Sequence, residues 1–97
     1  MEFSYKKSFL KAFDRNDSHT QKLIIETDKE IKNYLETGKA SFGLRIKKIT
    51  RRSYEGRVSD KVRIVWARDK DFVSFVMVGN HTEVQNYLKK LGSVLKY

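Results

Sequence analysis

The second half of the 97-residue chain carries side chains of the types that RNA cleavage requires: Glu55, Arg57, Arg63 and His81. Attack of a ribose 2′-hydroxyl on the adjacent phosphate needs a base for the hydroxyl proton, cations for the phosphate and an acid for the leaving 5′-oxygen. Histidine and glutamate can act as base or acid, and arginine can hold a phosphate through two parallel hydrogen bonds. We therefore consider RNA cleavage as the chemistry that these four residues suit.

This chemistry needs neither a metal ion nor another cofactor, and the sequence predicts none. The two histidines, His19 and His81, lack zinc-ligand spacing, and the chain has no cysteine. We expect His19 to be a solvated histidine near the start of a helix.

Each candidate also has a simpler interpretation. Glu55 can serve only to neutralise neighbouring arginines, and the arginines can be simple phosphate contacts. His81 can be a helix residue without chemical function. Tyr87, further along the same predicted helix, is either a core residue or an exposed platform on which a base stacks. Trp66 lies on an apolar strand face and is expected in the core.

Positive charge is concentrated around these candidates. Residues 44–66 hold eight of the 21 lysines and arginines and only two acids. Residues 1–43 have a net charge of +1 and residues 44–97 a net charge of +8. Such a surface attracts polyanions, which favours nucleic acid, the ribosome or an acidic protein as partner. The residues predicted to bind RNA electrostatically are Lys47, Lys48, Arg51, Arg52 and Lys61.

Hydrophobic spacing predicts the elements that hold these residues. In the first half, residues 2–5 alternate as a short strand, and a helix starts near Lys6 or Lys7 and ends at Asp14. A second helix spans residues 19–37, with a capping box from Ser18 to Gln21 and a stop at Gly38. A short loop then covers residues 39–43.

The second half reads as strands at residues 44–50, 54–58, 61–68 and 72–78, followed by a helix at 81–91 that Gly92 ends. Residues 72–78 are apolar on both faces, which is typical of a strand inside a sheet. The order predicts a single α+β domain over residues 1–97. A short N-terminal strand and a helical hairpin join an antiparallel sheet of about four strands and a C-terminal helix, with the helices on one sheet face.

The pairing of two strands decides whether the candidates meet. If Ser59 and Asp60 form a two-residue turn, Gly56 pairs with Arg63. Arg63 then lies on the opposite face from Glu55 and Arg57. A bulge or one more turn residue would bring the three together, and the spacing leaves both registers open.

The N-terminus lacks the apolar segment of a signal peptide, and no run approaches the ~20 apolar residues of a membrane span. We therefore expect a soluble, cytoplasmic protein with no membrane partner.

The segment from Tyr54 to Trp66, followed by an apolar strand and Val78-Gly-Asn-His81, resembles the RelE/ParE toxin superfamily. The resemblance covers nearly the whole chain. It implies that Arg63 stabilises the phosphate and that His81 matches the histidine or arginine at the end of the last strand. Tyr87 falls near an aromatic residue that stacks on substrate in RelE.

The same resemblance places Arg57 and Glu55 where RelE has two functional lysines, if one gap is allowed in the hairpin. Glu55 departs from that pattern. The resemblance also implies a cognate antitoxin protein that covers the basic groove or displaces the last helix.

Three functions follow from the resemblance. RelE-like members cleave translated mRNA on the ribosome, ParE-like members inhibit DNA gyrase, and a third type would bind RNA or the ribosome without catalysis. His81 favours the ribosome-dependent endoribonuclease, because a pure binding protein has no special need for a group that titrates near neutral pH.

Overall fold

The computed structural model describes residues 1–40 and 43–95. Its elements are β1 (Glu2–Tyr5), α1 (Lys7–Asp14), α2 (Ser18–Thr37), β2 (Lys47–Lys48), β3 (Ser53–Arg57), β4 (Arg63–Asp69), β5 (Phe72–Gly79) and α3 (His81–Leu95). The predicted α+β class and element order are confirmed. The two largest differences are that the strand predicted at residues 44–50 shrinks to two residues and that α3 continues through Gly92. Several other element ends shift by one or two residues. Ser41 and Phe42, in the predicted loop, lie outside the described residues.

The sheet has five strands in the order β1-β5-β4-β3-β2. β1 runs parallel to β5, and the other pairs are antiparallel, so the sheet is mixed and larger than predicted. The parallel pair brings Tyr5 opposite Phe75, and their rings stack with centroids 5.1 Å apart. Since this pairing joins residues about seventy positions apart, local spacing in the sequence carries no signal for it. β5 lies inside the sheet, as its apolar sequence indicated.

The helices cover both faces of the sheet. Phe9 of α1 and Ile24 and Ile31 of α2 are buried against the face that carries Trp66 and Phe75. On the other face α3 buries Val84 against Val65 and Val76. The prediction that all helices pack on one face is therefore wrong for α3. The reason is that β4 and β5 are apolar on both sides, so that each face needs its own cover.

A bulge in β5 shifts the alternation of its side chains. Val65 pairs with Met77 but Trp66 pairs with Phe75, so Val76 is an extra residue on β5. Phe75 and Val78, three residues apart, consequently both join the α1–α2 side, while Val76 joins the α3 side.

The start of α2 is capped one residue earlier than predicted. Asp17 is the N-cap, and its carboxylate accepts a hydrogen bond from the Thr20 amide at 2.7 Å. That bond holds the pKa of Asp17 below its usual value. Gln21 does not form a capping box with Ser18, because its side-chain Nε2 donates a hydrogen bond to the Phe13 carbonyl at 3.0 Å. Gly38 ends α2 in the left-handed region at φ 78°, as expected.

Within the described ranges, none of the helices has the length and apolar character needed to cross a membrane.

Close packing at Gly56 gives a test of the fold. A Cβ there would lie 3.1 Å from Ile31 Cδ1 and 3.2 Å from Trp66 Cζ3. We expect Gly56→Ala to lower the free energy of unfolding by about 1–3 kcal/mol through overpacking, as measured by urea denaturation. Ile31→Val removes the nearer methyl group, so the double variant should lose less stability than the sum of the single variants. Additive losses would contradict this packing.

Candidate active site in a basic groove

The turn between β3 and β4 settles the register that the sequence left open. The Val58 amide donates to the Val62 carbonyl at 2.9 Å, and Arg57 pairs with Arg63, so the turn has three residues, 59–61. The two-residue alternative is wrong. Ser59 stabilises the longer turn, because its hydroxyl accepts a hydrogen bond from the Val62 amide at 3.2 Å. Arg63 therefore shares a face with Arg57 and Glu55.

An ion pair joins two of the candidates across this hairpin. Arg63 Nε lies 3.5 Å from Glu55 Oε2, and the two side chains are only 27% and 21% exposed. Arg63 is also fixed from the turn, because its Nη1 donates to the Ser59 carbonyl at 2.6 Å. Arg57 pairs instead with Asp60, which is almost fully exposed. Arg63 is thus the better held of the two arginines.

His81 is placed by the first turn of α3. Asn80 and Glu83 form a reciprocal capping box: Asn80 Oδ1 accepts from the Glu83 amide at 2.8 Å, and Glu83 Oε1 accepts from the Asn80 amide at 3.0 Å. β5 ends level with Arg63, since Gly79 pairs with it. The exposed His81 consequently lies just beyond Arg63, where β5 ends and β4 begins.

These residues line one groove on the sheet face that α3 covers only in part. The groove encloses about 470 Å³. Five of its lining residues are basic and one is acidic. The full lining is Arg45, Lys47, Lys48, Ile49, Glu55, Arg57, Arg63, His81 and Gln85. An adjoining cleft of about 350 Å³ shares Arg63 and His81, so both residues stand where the two hollows meet.

The structure brings most of the predicted site residues together. Glu55, Arg57, Arg63 and His81 line the groove with Lys47 and Lys48, and Lys61 lines the adjoining cleft.

Three predicted residues lie elsewhere. Tyr87, on α3, is half-buried and packs against the cluster of Val65, Val76 and Val84. Its role in stacking on a base stays a prediction. Arg51 and Arg52 are exposed in the turn between β2 and β3, outside the groove.

The sequence-based prediction missed three groove residues, Arg45, Ile49 and Gln85. Arg45 belongs to the basic segment, but its backbone adopts a left-handed conformation at φ 45°. An arginine in the sequence does not indicate such a conformation, so the position of this side chain could not be predicted. Gln85 had a usable signal. It follows His81 by four residues, which puts both on one face of a helix.

Of three comparisons with known proteins, only the one with solved structures finds matches. No family model matches the sequence, and the curated proteins contain no match. Solved structures do match. A chain of the RelB–RelE antitoxin–toxin complex from Methanococcus jannaschii is 22% identical, with 86% of this chain and 95% of that chain covered at a TM-score of 0.63.

A copper-bound mutant toxin from Helicobacter pylori is 20% identical, over 86% of this chain and 97% of that chain, at a TM-score of 0.64. A chain of the E. coli DinJ–YafQ toxin–antitoxin complex is 12% identical, over 84% of this chain and 93% of that chain, also at 0.64. The fold is that of the RelE-like toxins. The resemblance seen in the sequence is thereby confirmed at the level of the fold.

On this RelE-like fold, the groove combines groups that can bind a phosphate with groups that can transfer protons. Arg63 presents a guanidinium held from two sides, and Glu55 and His81 are the groove residues that can accept or donate a proton. The described residues contain no group of three or more histidine, aspartate and glutamate side chains that could hold a metal ion.

The register can be tested with a disulfide, because the natural chain has no cysteine. Arg57 and Arg63 face each other at a position between ladder hydrogen bonds, where Cα atoms lie about 4.5 Å apart. We expect Arg57→Cys with Arg63→Cys to form an intramolecular disulfide under mild oxidation, as measured by thiol titration. Arg57→Cys with Val62→Cys is the matched control, since Val62 lies on the other face. Equal oxidation of the two pairs would refute the three-residue turn.

Proposed function

We propose that this protein is the toxin of a toxin–antitoxin pair and a ribosome-dependent endoribonuclease that cleaves translated mRNA. One observation carries the proposal: Arg63 and His81 meet in a single basic groove with Glu55 beside them. Solved structures of the same fold include toxins in complex with their antitoxins, RelB–RelE and DinJ–YafQ, which supports the toxin role. The ribosome and its mRNA place this activity in the cytoplasm.

In the proposed reaction the ribose 2′-hydroxyl attacks the adjacent phosphate and the 5′-oxygen leaves. Arg63 stabilises the charge on the pentacoordinate phosphate, with Arg57 as second cation. Glu55 and His81 take the base and acid roles between them. Lys47, Lys48 and Lys61 bind the RNA backbone without reading its sequence.

Gyrase inhibition is the competing function for this fold, together with RNA binding without cleavage. Both need only a binding surface. The placement of His81 beside Arg63 favours the nuclease, because it adds a proton-transfer group at the point where a bound phosphate would lie.

Substitution of the two groove residues tests the nuclease. We expect His81→Ala to lower the rate of mRNA cleavage by about 10²–10⁴-fold, through loss of acid–base catalysis. Arg63→Ala should lower it by about 10²–10³-fold, through loss of phosphate stabilisation. Primer extension on translated mRNA after induction measures both rates. Lys89→Ala, an exposed change on α3 outside the groove, should leave cleavage unchanged.

Cuts inside codons of ribosome-bound mRNA would support the nuclease. Undiminished toxicity of the His81→Ala and Arg63→Ala variants would refute the assigned site. Intact mRNA together with induction of the DNA-damage response would favour gyrase inhibition instead.

The partner that we propose is a cognate antitoxin, and an apolar groove between α1 and α2 suits part of it. This groove encloses about 190 Å³ and is lined by Tyr5, Phe9, Leu10, Phe13, Ile24, Ile25 and Asp28. Leu10 and Ile25 are 48% and 47% exposed, and because both line the same groove they form one exposed apolar patch, which is typical of a protein contact site.

Asp28 does not change the apolar character of the groove. Its Oδ2 accepts a hydrogen bond from the Tyr5 hydroxyl at 2.7 Å and lies 3.1 Å from Lys32 Nζ, while its Oδ1 is buried and is not accessible to a partner. A segment with an apolar face would therefore complement the groove.

The antitoxin interface can be separated from catalysis. We expect Leu10→Asp to weaken binding of the neutralising antitoxin by at least about tenfold, because a charge would enter the apolar contact. The rate of mRNA cleavage should not change, since Leu10 lies on α1, which covers the sheet face opposite the basic groove. Isothermal titration with the purified antitoxin measures the affinity. Lys11→Asp, at an exposed neighbouring position outside the lining, is the control. An unchanged affinity of the Leu10→Asp variant would place the antitoxin elsewhere.

A further inference from the structure

A second hollow lies on the sheet face opposite the basic groove. It encloses about 260 Å³ between the end of α2 and strands β2, β3 and β4. Its lining residues are Tyr34, Leu35, Ile46, Lys48, Tyr54, Trp66 and Arg68. We call it the tyrosine cleft. It mixes aromatic rings with cations and contains no acid among its lining residues, which distinguishes it from the apolar groove between α1 and α2.

Aromatic surface forms the base of the tyrosine cleft. Trp66 is 1% exposed, and the Tyr54 ring stacks on it with centroids 5.9 Å apart and an interplanar angle of 20°. The indole Nε1 of Trp66 is buried and has no hydrogen-bond acceptor in the part of the chain that the structure describes. This nitrogen is itself buried and cannot bond a ligand, so the half-buried Tyr54 ring supplies the accessible part of the aromatic base.

Positive charge borders the aromatic surface. Lys48 and Arg68 line the cleft from β2 and β4. The Arg68 amide donates to the Arg52 carbonyl at 2.9 Å, which ties the turn carrying Arg51 and Arg52 to the rim of the cleft. These two arginines lie outside the catalytic groove, so the function proposed above leaves their charge without a role.

Lys48 links the tyrosine cleft to the catalytic groove. It lines both hollows, because β2 is the edge strand of the sheet and its side chains can reach either face. A cationic surface therefore continues from the groove, around the edge of the sheet, to the tyrosine cleft. A flexible polyanion that follows this path could remain in contact with positively charged side chains throughout.

We propose, on the basis of the RNA-cleaving function above, that the tyrosine cleft binds an unstacked nucleotide of the RNA strand that leaves the groove around β2. The base lies against Tyr34 and Tyr54, and the neighbouring phosphates contact Lys48 and Arg68. Stacking on aromatic side chains with cations on the backbone is the usual mode of single-strand binding. Arg51 and Arg52 then bind the phosphates at the bend.

Trp66 gives a direct readout, since it is the single tryptophan of the chain. A 2′-O-methyl RNA oligonucleotide of about ten nucleotides would span such a site and cannot be cleaved through the blocked 2′-oxygen. We expect its binding to change the fluorescence emission of Trp66 at saturation. Binding confined to the catalytic groove, on the other sheet face, would leave this emission unchanged.

Affinity measurements with the same oligonucleotide test the individual contacts. We expect Tyr34→Ala to weaken binding by about fivefold or more, while Tyr34→Phe retains the ring and most of the affinity. Arg68→Gln should lower the slope of log affinity against log salt by about 0.7, the value for one lost phosphate contact on a single strand. Lys22→Gln removes the same charge from an exposed position on α2 and should leave the slope unchanged.

The outcomes separate this inference from the proposed function. If mRNA is cleaved but the oligonucleotide leaves Trp66 emission and the Arg68→Gln slope unchanged, the tyrosine cleft is not an RNA site. If the antitoxin changes Trp66 emission while the oligonucleotide does not, the cleft is a protein contact and the inference is wrong. If no mRNA is cleaved and no oligonucleotide binds, the proposed function fails as well.

Discussion

The pairing of β3 with β4 is the constraint on which both the core and the candidate site depend. Gly56 lies opposite Ile64, where an added Cβ would come within 3.1 Å of Ile31 and 3.2 Å of Trp66, so this position favours a residue without a side chain. The same register puts Arg57 opposite Arg63 on the other face. A slip by one residue would press a charged side chain into the core and separate the groove residues, since side chains alternate between faces. Packing on one side therefore enforces the site on the other.

The groove exists because α3 covers only part of its sheet face. Val84 anchors α3 over β4 and β5, while β2 and β3 remain open toward solvent on that side. The capping box at Asn80 fixes where the helix starts, and so fixes the position of His81 at the wall of the groove. The floor carries lysine and arginine side chains, and the wall carries His81. The floor and the wall thus come from different elements. The pairing of β3 with β4 holds the floor, and the capping box at Asn80 holds the wall.

Much of this arrangement could be predicted from sequence, and the failures have physical causes. Apolar periodicity identified the helices and the longer strands, and the basic segment identified Lys47, Lys48 and Arg63 as groove residues. The parallel pairing of β1 with β5 could not be predicted, because its partners are about seventy residues apart and no local pattern encodes them. The hairpin register depended on a single turn residue, which the spacing left undecided. Gln85 was missed although its helical spacing from His81 was available in the sequence.

Glu55 is the residue whose role the structure changes most. Beside Arg63 it could be only a neutralising partner, as composition suggests. The pair is a single contact of 3.5 Å, whereas a phosphate can bind a guanidinium through two parallel hydrogen bonds, so an RNA phosphate could displace the carboxylate. In the proposed reaction, phosphate binding to Arg63 then releases Glu55 at the groove position where a base is needed. If Glu55 is the base, as we propose, the neutralising and catalytic interpretations would be two stages of one cycle, in which the substrate itself frees the base.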